Sequence, residues 1–242
     1  MDFQRAKELF QDKIDINLYV PLFEKIEIDL LYSINQKEKL ILVYGEAGNG
    51  KSFLLNKIFN SLKDKKKDFD ISFISNPFIE DKKLNELLIK EVEKPNILFV
   101  DEAQILSSNR IEQLRILSDR NFTIILATHE EEAKQLFTKK HFATRMNNII
   151  NLKPLKLDKI ELFISSKLVQ NDLFNINSLF SKKNYKLIYK ITKGNLRETN
   201  KLLYKTFDVL GYFYKKYPNK IKSTLDNKYI EIAHMDLKGV DA

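Results

Sequence analysis

The sequence predicts an α/β fold: a doubly wound sheet of five parallel strands with helices on both faces, followed by a C-terminal helical lid subdomain. Three observations predict it. Over the first two-thirds of the 242 residues, short β-type apolar runs alternate with stretches of helical apolar spacing, the pattern of a parallel sheet covered on both faces. Beyond Pro154 only helical spacing remains. Three of the six glycines, Gly45, Gly48 and Gly50, crowd between a strand run and a helix run. A chain so poor in glycine clusters them only where its backbone must curl.

In chain order, residues 2–11 and 20–35 carry helical spacing. Residues 39–44 (KLILVY) form the first strand run, and 51–63 follow with Leu54, Leu55, Ile58, Phe59 and Leu62 at helical intervals. Residues 71–75 read as the second strand, with a helix over 82–92, and 97–101 as the third, with a helix over 109–118. Residues 122–128 read as the fourth strand, with a helix over 130–138, and 148–152 as the fifth, closed by Pro154. Helical runs at 158–170, 178–191 and 195–217 predict the lid. The expected organisation is an α/β domain over 1–153, a helical subdomain over 154–217 and a loosely held tail over 218–242, where Pro218 and mixed polarity leave little periodicity.

Composition narrows the function. An apolar fraction of 43% and a charged fraction of 31% supply a core and a solvated surface and exclude wholesale disorder. The absence of cysteine excludes disulfides, thiolate metal sites and cysteine nucleophiles. Three histidines are too few for an all-histidine metal site, though carboxylate sites remain open. Apolar stretches are too short to span a bilayer, and charges break up the start, MDFQRAKELF, so a cytoplasmic protein without a transmembrane segment is expected. The net charge of +8, from 41 basic and 33 acidic residues, permits attraction to nucleic acid or anionic lipid; it also reflects a general abundance of lysine.

GEAGNGKS at residues 45–52 matches G-x-x-x-x-G-K-[ST] between a strand run and a helix run. In such a loop Gly45, Glu46, Ala47, Gly48, Asn49 and Gly50 turn backbone N–H groups towards phosphate oxygens. The helix that starts near Lys51 and runs on through Phe53 adds the positive end of its dipole. Lys51 supplies a cation for the β- and γ-phosphates, and Ser52 a hydroxyl ligand for Mg²⁺. The ligand implied is ATP with Mg²⁺.

The segment NILFVDEAQ, residues 96–104, is an apolar strand ending in two acids. At the carboxyl end of a strand in an open α/β sheet, where ligands bind, Asp101 would hold the Mg²⁺ shell through water and Glu102 would polarise the attacking water. The alternative is that the pair caps the next helix. The Asp-Glu order and the lack of an N-K-x-D segment point away from GTPases, and no LSGGQ-like signature of transporter ATPases occurs. ATP hydrolysis on one nucleotide-binding domain is the class that remains.

Thr128 and His129 close the fourth strand, where a polar side chain would meet the γ-phosphate or the water; Thr128 could equally cap the EEEAKQLF helix, and His129 could be a capping or surface histidine. Arg145, in HFATRMNNIINLKPL, suits a γ-phosphate of a neighbouring subunit or an ordinary ion pair. Arg197, in KGNLRETNKLL, starts a helix from which it would reach over the phosphates, or lies on that helix's surface.

Together these residues resemble an AAA+ ATPase: Walker A at residues 45–52, Walker B at 97–102, sensor 1 at Thr128 and His129, an arginine finger at Arg145 and sensor 2 at Arg197. More narrowly, the chain resembles the ExeA (GspA) and TniB branch, through the DEAQ form of Walker B, the Arg-Met pair before NNIINLKPL, the segment KIELFISSKL, and GNLRETN with Asn200 three residues after Arg197. The resemblance implies the AAA+/ASCE P-loop fold, a homo-oligomer, ATP-driven remodelling of a partner, and Tyr19, with Val20 and Pro21, near the adenine unless they pack in the core. It further implies assembly of a membrane-associated secretion, pilus or DNA-uptake machine through a membrane-bound protein partner, since the ExeA membrane span and cell-wall-binding extension have no counterpart here. The alternatives are a DNA-binding ATPase that selects transposition targets, and a nucleotide-gated scaffold with little hydrolysis. His129 departs from the sensor residue of that branch. The aromatics Phe207, Tyr212, Phe213, Tyr214 and Tyr217, interleaved with lysines, are either helix packing or a partner surface.

Overall fold

The computed structural model describes residues 1–11, 20–63, 68–89, 93–138, 146–217 and 224–240. Two compact units emerge, Phe23–Lys153 and Met1–Leu22 with Pro154–Ala242. In chain order, α1 (Phe3–Leu9) belongs to the second unit, and α2 (Glu24–Asn35), β1 (Leu40–Tyr44), α3 (Lys51–Lys63), β2 (Asp70–Ile74), α4 (Asp81–Ile89), β3 (Asn96–Val100), α5 (Ser108–Ser118), β4 (Phe122–Thr128), α6 (Glu130–Thr138) and β5 (Met146–Asn151) to the first. The second continues with α7 (Leu157–Val169), α8 (Phe174–Asn177), α9 (Lys182–Thr192), α10 (Leu196–Lys216) and α11 (Asn227–Val240).

The sheet has five parallel strands in the order β2-β3-β4-β1-β5. Burial follows this order. All residues of β3 and β4 are buried, whereas the edge strand β2 exposes Asp70 and the other edge, β5, exposes Ile149. On one face Leu40, Leu42, Val100, Leu126, Leu114 and Leu117 share a core. Elsewhere in this unit Phe73 stacks on Phe99 with centroids 6.0 Å apart, and Phe59 of α3 meets both rings edge-on at 5.3 and 6.0 Å. The register fixes which strand tips are level. Tyr44 of β1 pairs with Thr128 of β4, and Val100 of β3 with Leu126 of β4. The loops that follow β1, β3 and β4 therefore leave the same edge of the sheet from neighbouring strands.

The second unit departs from the sequence reading in three places. The expected domain over 1–153 loses its first helix, because α1 packs on α10: Phe3 meets Tyr214 and Phe10 meets Phe207, both at 5.6 Å, and Lys7 pairs with Asp208 at 2.5 Å. The expected helix over 178–191 starts later, as α9: residues 178–181 lie outside any helix, and the Ser181 amide donates to Asn184 Oδ1 at 2.7 Å and opens the helix there. The tail over 218–242 is not loose throughout. Its residues Tyr229, Ile230 and Ala233 are buried, the Phe213 and Tyr229 rings lie 5.4 Å apart, and Lys205 bonds Asp236 at 2.7 Å. These rings show that Phe207, Phe213 and Tyr214 pack the unit internally, while Tyr212 is exposed. Among the described residues no helix is long and apolar enough to cross a membrane.

The turn between β2 and α4 is tied by one carboxylate. Glu80 Oε1 accepts from the Ser75 amide and hydroxyl, both at 2.6 Å, and from the Asn76 amide at 3.3 Å, while Lys83 donates to Oε2 at 3.0 Å. Burial works against the charged carboxyl, but the Ser75 hydroxyl, Lys83 and the two amides outweigh it and hold its pKa at about 2, below the ordinary 4.5. A depressed value in the folded state gives stability that is complete above 4.5 and is lost as pH falls towards 2. Glu80→Gln should therefore cost about 1 kcal/mol in urea unfolding at pH 7, and the deficit should shrink as the pH drops below the ordinary carboxylate value. A deficit independent of pH would show that the carboxylate is not what ties the turn.

Candidate nucleotide-binding site

Residues 45–50 connect β1 to α3 and form the loop predicted to cradle phosphate. Gly48 and Gly50 adopt φ of 82° and 97°, which side-chain-bearing residues rarely do. The loop is pinned from outside. Asn49 is buried and its Nδ2 donates to the Leu152 carbonyl at 3.0 Å, while the Leu152 amide donates to the Tyr44 carbonyl at 2.7 Å. A Cβ on Gly45 would fall 2.3 Å from that same Leu152 oxygen, so only glycine lets the two backbones meet. Glu46 and Ala47 are exposed at the loop's outer turn, and the Phe53 ring lies 6.4 Å from Phe23.

Lys51 is buried at the start of α3. Its Nζ donates to the carbonyls of Gly45 at 2.8 Å and Glu46 at 3.1 Å, and lies 3.5 Å from His129 Nδ1. The ammonium thus sits against the loop, the position from which a lysine meets phosphate oxygens. Asp101 is buried at the tip of β3. Burial pushes its carboxyl pKa up, against hydrogen bonds from the Ser52 hydroxyl and the Glu102 amide. A buried carboxyl with a disfavoured charge, bonded to a serine hydroxyl, is a donor set that suits Mg²⁺. Ser52 and Asp101 would hold the ion, which neutralises phosphate charge when bound. Among the described residues no three His, Asp or Glu side chains converge, so its other ligands would be phosphate oxygens and water.

Glu102 follows in the left-handed region, φ 51° and ψ 37°, and opens a 3-10 turn at Ala103–Ile105. For a residue with a side chain this conformation costs on the order of 1 kcal/mol. Its Oε2 accepts from Gln104 Nε2 and lies 3.8 Å from His129 Nε2. Gln104 Oε1 is buried and has no partner among the described residues. Sequence reasoning used Gln104 only as the last letter of DEAQ; its two-residue offset on a tight turn is the signal that brings it back to the acid.

Thr128 is fully buried, and its hydroxyl finds no partner among the described residues. It does not cap α6, since the His129 carbonyl accepts from the Ala133 amide and takes the capping position itself. His129 lies between Lys51 and Glu102. Residues 45–52, Asp101, Glu102, Thr128 and His129 thus come from one edge of the sheet. Arg145 and Tyr19 lie outside the described residues. Val20 is buried in the second unit, and Arg197 is exposed in the first turn of α10 in that unit.

Parallel sheet, curled loop, lysine and strand-tip acids define a P-loop nucleotide hydrolase. The comparisons are more specific. Residues 41–154 match the family described as "ATPase family associated with various cellular activities (AAA)". This stretch is an AAA ATPase domain, and the protein is an ATP-hydrolysing enzyme. In fold the chain is similar to the Aeropyrum pernix Orc1 protein solved in complex with DNA (9% identity, TM-score 0.71, covering 96% of this chain and 69% of that one). It is also similar to domain III of the Thermotoga maritima replication initiation protein DnaA (14%, TM-score 0.61, 93% and 97%). A third likeness is the Thermotoga maritima RuvB Holliday junction branch migration motor (16%, TM-score 0.63, 94% and 73%). No curated protein matches the sequence. None of these likenesses bears specifically on the ExeA (GspA)/TniB branch.

The geometry makes three predictions. Lys51→Ala removes a charge-assisted contact to phosphate and should weaken ATP binding about 10- to 100-fold in calorimetry. Glu102→Gln should retain ATP binding and lose turnover by about 10²- to 10⁴-fold, while Gln104→Ala should lower kcat about tenfold with unchanged nucleotide affinity. Full turnover in Glu102→Gln would remove the water-priming role, and unchanged kcat in Gln104→Ala would remove the orienting one.

Proposed function

We propose that this protein is a cytoplasmic, oligomeric AAA+ ATPase that uses Mg²⁺–ATP to remodel assemblies on DNA. In this reading Lys51 and the loop amides hold the phosphates, Ser52 and Asp101 hold Mg²⁺, and Glu102, oriented by Gln104, draws a proton from the attacking water. Thr128 offers an unpaired hydroxyl and His129 an imidazole to the γ-phosphate region, Arg197 reaches the phosphates from the lid, and Arg145 acts on a neighbouring subunit's nucleotide.

The observation that carries the DNA part is the extent of the likeness. It spans 93–96% of the chain, both units included, and the proteins on the other side are described as a DNA complex, a replication initiator and a branch migration motor. The excess of 41 basic over 33 acidic residues is compatible with a polyanionic partner. Transposition target selection is one role within this class. Assembly of a secretion, pilus or DNA-uptake machine through a membrane-bound partner is the second reading, supported by the Arg-Met-NNIINLKPL and GNLRETN segments.

Fluorescence anisotropy with duplex DNA tests the proposal. The Glu102→Gln protein with ATP should bind DNA tightly and with strong salt dependence, and binding should fall on omitting nucleotide. No DNA binding at about 50 mM salt, together with recovery of envelope proteins on the same trapped variant, would replace this reading with the second.

A further inference from the structure

The second unit concentrates unpaired positive charge on one helix face. Helix α9 carries Lys182, Lys183, Lys186 and Lys190, Lys193 follows at its C-cap, and the helix contains no acidic residue. All five lysines are exposed. At about 100° per residue, Lys182, Lys183, Lys186, Tyr189 and Lys190 fall within one third of the helix circumference. Asn184, Tyr185, Ile188 and Thr192 occupy the opposite side and are buried. The helix is therefore seated by one face and presents the other.

Lysine abundance alone does not produce this arrangement. In the neighbouring helices three lysines are matched by acids, Lys7 by Asp208, Lys201 by Glu198 and Lys205 by Asp236, while Lys215, Lys216 and Lys238 have no ion pair among the described residues. Among the described residues none of the five on α9 has an ion pair or side-chain hydrogen bond. Five like charges close together repel one another, a cost that a polyanion on that face would relieve.

The side chains also select the polyanion. Lys182, Lys186 and Lys190 rise about 6 Å per step, so the row spans roughly 12 Å, the axial rise of three to four phosphates on one strand of a duplex. Lysine binds phosphate as a point charge and reads no base edge, and the Tyr189 hydroxyl can donate to a phosphate oxygen. An anionic bilayer would want apolar side chains beside the lysines, and single strands would want several stacking rings; this face offers only Tyr189, 36% exposed.

We propose that the lysine face of α9 is a sequence-independent docking surface for the phosphate backbone of duplex DNA. This rests on the DNA-remodelling reading above. The test is anisotropy with two unrelated labelled duplexes, in ATP and across a salt series, comparing the whole protein with the triple variant Lys182→Gln, Lys186→Gln, Lys190→Gln. The plot of log affinity against log salt should become shallower by about 0.9 for each lysine removed, equally on both duplexes. ATPase turnover without DNA should stay unchanged, and the Lys→Arg triple variant should keep the slope. If the triple variant loses helicity by circular dichroism, Lys186→Gln alone should still reduce the slope by about 0.9. An unaltered slope in a folded variant that still binds DNA overturns the docking face and leaves the DNA reading standing. Failure of the unsubstituted protein to bind either duplex at low salt overturns both. Loss on one duplex only, or a charge-dependent gain on phosphatidylserine vesicles without DNA binding, also overturns the proposal.

Discussion

Strand β4 lies between β1 and β3, and the rest of the site depends on that insertion. The phosphate loop leaves the tip of β1 and the acids leave the tip of β3, so the two meet only across the end of β4. Whatever stands at that tip is forced between a cation and an anion. The register puts Thr128 opposite Tyr44, and His129 follows it into the gap, with Nδ1 3.5 Å from Lys51 and Nε2 3.8 Å from Glu102. Backbone hydrogen bonding thus determines the composition of the site before any side chain has chosen a rotamer.

The loop itself has an external brace. Asn49 bonds the Leu152 carbonyl, Leu152 bonds Tyr44, and Gly45 packs so near Leu152 that a methyl group would not fit. These contacts join the end of β1 to the segment beyond β5, so loop shape depends on the strand pairing on that side as much as on glycine content. The acids have a different brace. Glu102 occupies a left-handed conformation at the head of a 3-10 turn, which bends the chain so that Gln104, two residues later, reaches back to the carboxylate. One carboxylate oxygen is engaged and the other is left for a water.

Much of this was legible in the sequence because it is local. The glycine spacing, Lys51, Ser52 and the apolar runs before them specify loop and strand together, and β4 spans residues 122–128 as the pattern predicts. What escaped was either non-local or competitive. Residues 2–11 announce an amphipathic helix without saying which unit supplies the partner for Phe3 and Phe10, and Phe207 and Tyr214 lie some two hundred residues away. Residues 178–191 satisfy helical periodicity, but the Ser181–Asn184 contact offers the backbone a competing start. The helix at Asn227–Val240 was hidden by polar residues around Tyr229, Ile230 and Ala233. In the site, Gln104 was visible as a letter, but its geometry was not, since a strand-to-turn transition hides which side chains fold back.

Thr128 is informative because its hydroxyl is inconsistent with a purely structural role. The residue is fully buried and the hydroxyl has no partner among the described residues, a state that costs on the order of 1–3 kcal/mol. A valine would fill the same space in a β-strand without that penalty. The hydroxyl sits at the carboxyl end of β4, beside the residue that lies between Lys51 and Glu102, so the partner that would satisfy it is one that enters from that edge. The Gln104 oxygen likewise has no partner among the described residues, at the same edge on the neighbouring strand's exit. Two unsatisfied polar atoms, a buried carboxyl with a raised pKa and a lysine resting on its own loop's carbonyls describe a site folded ahead of its ligand, whose remaining hydrogen bonds are made when the triphosphate arrives.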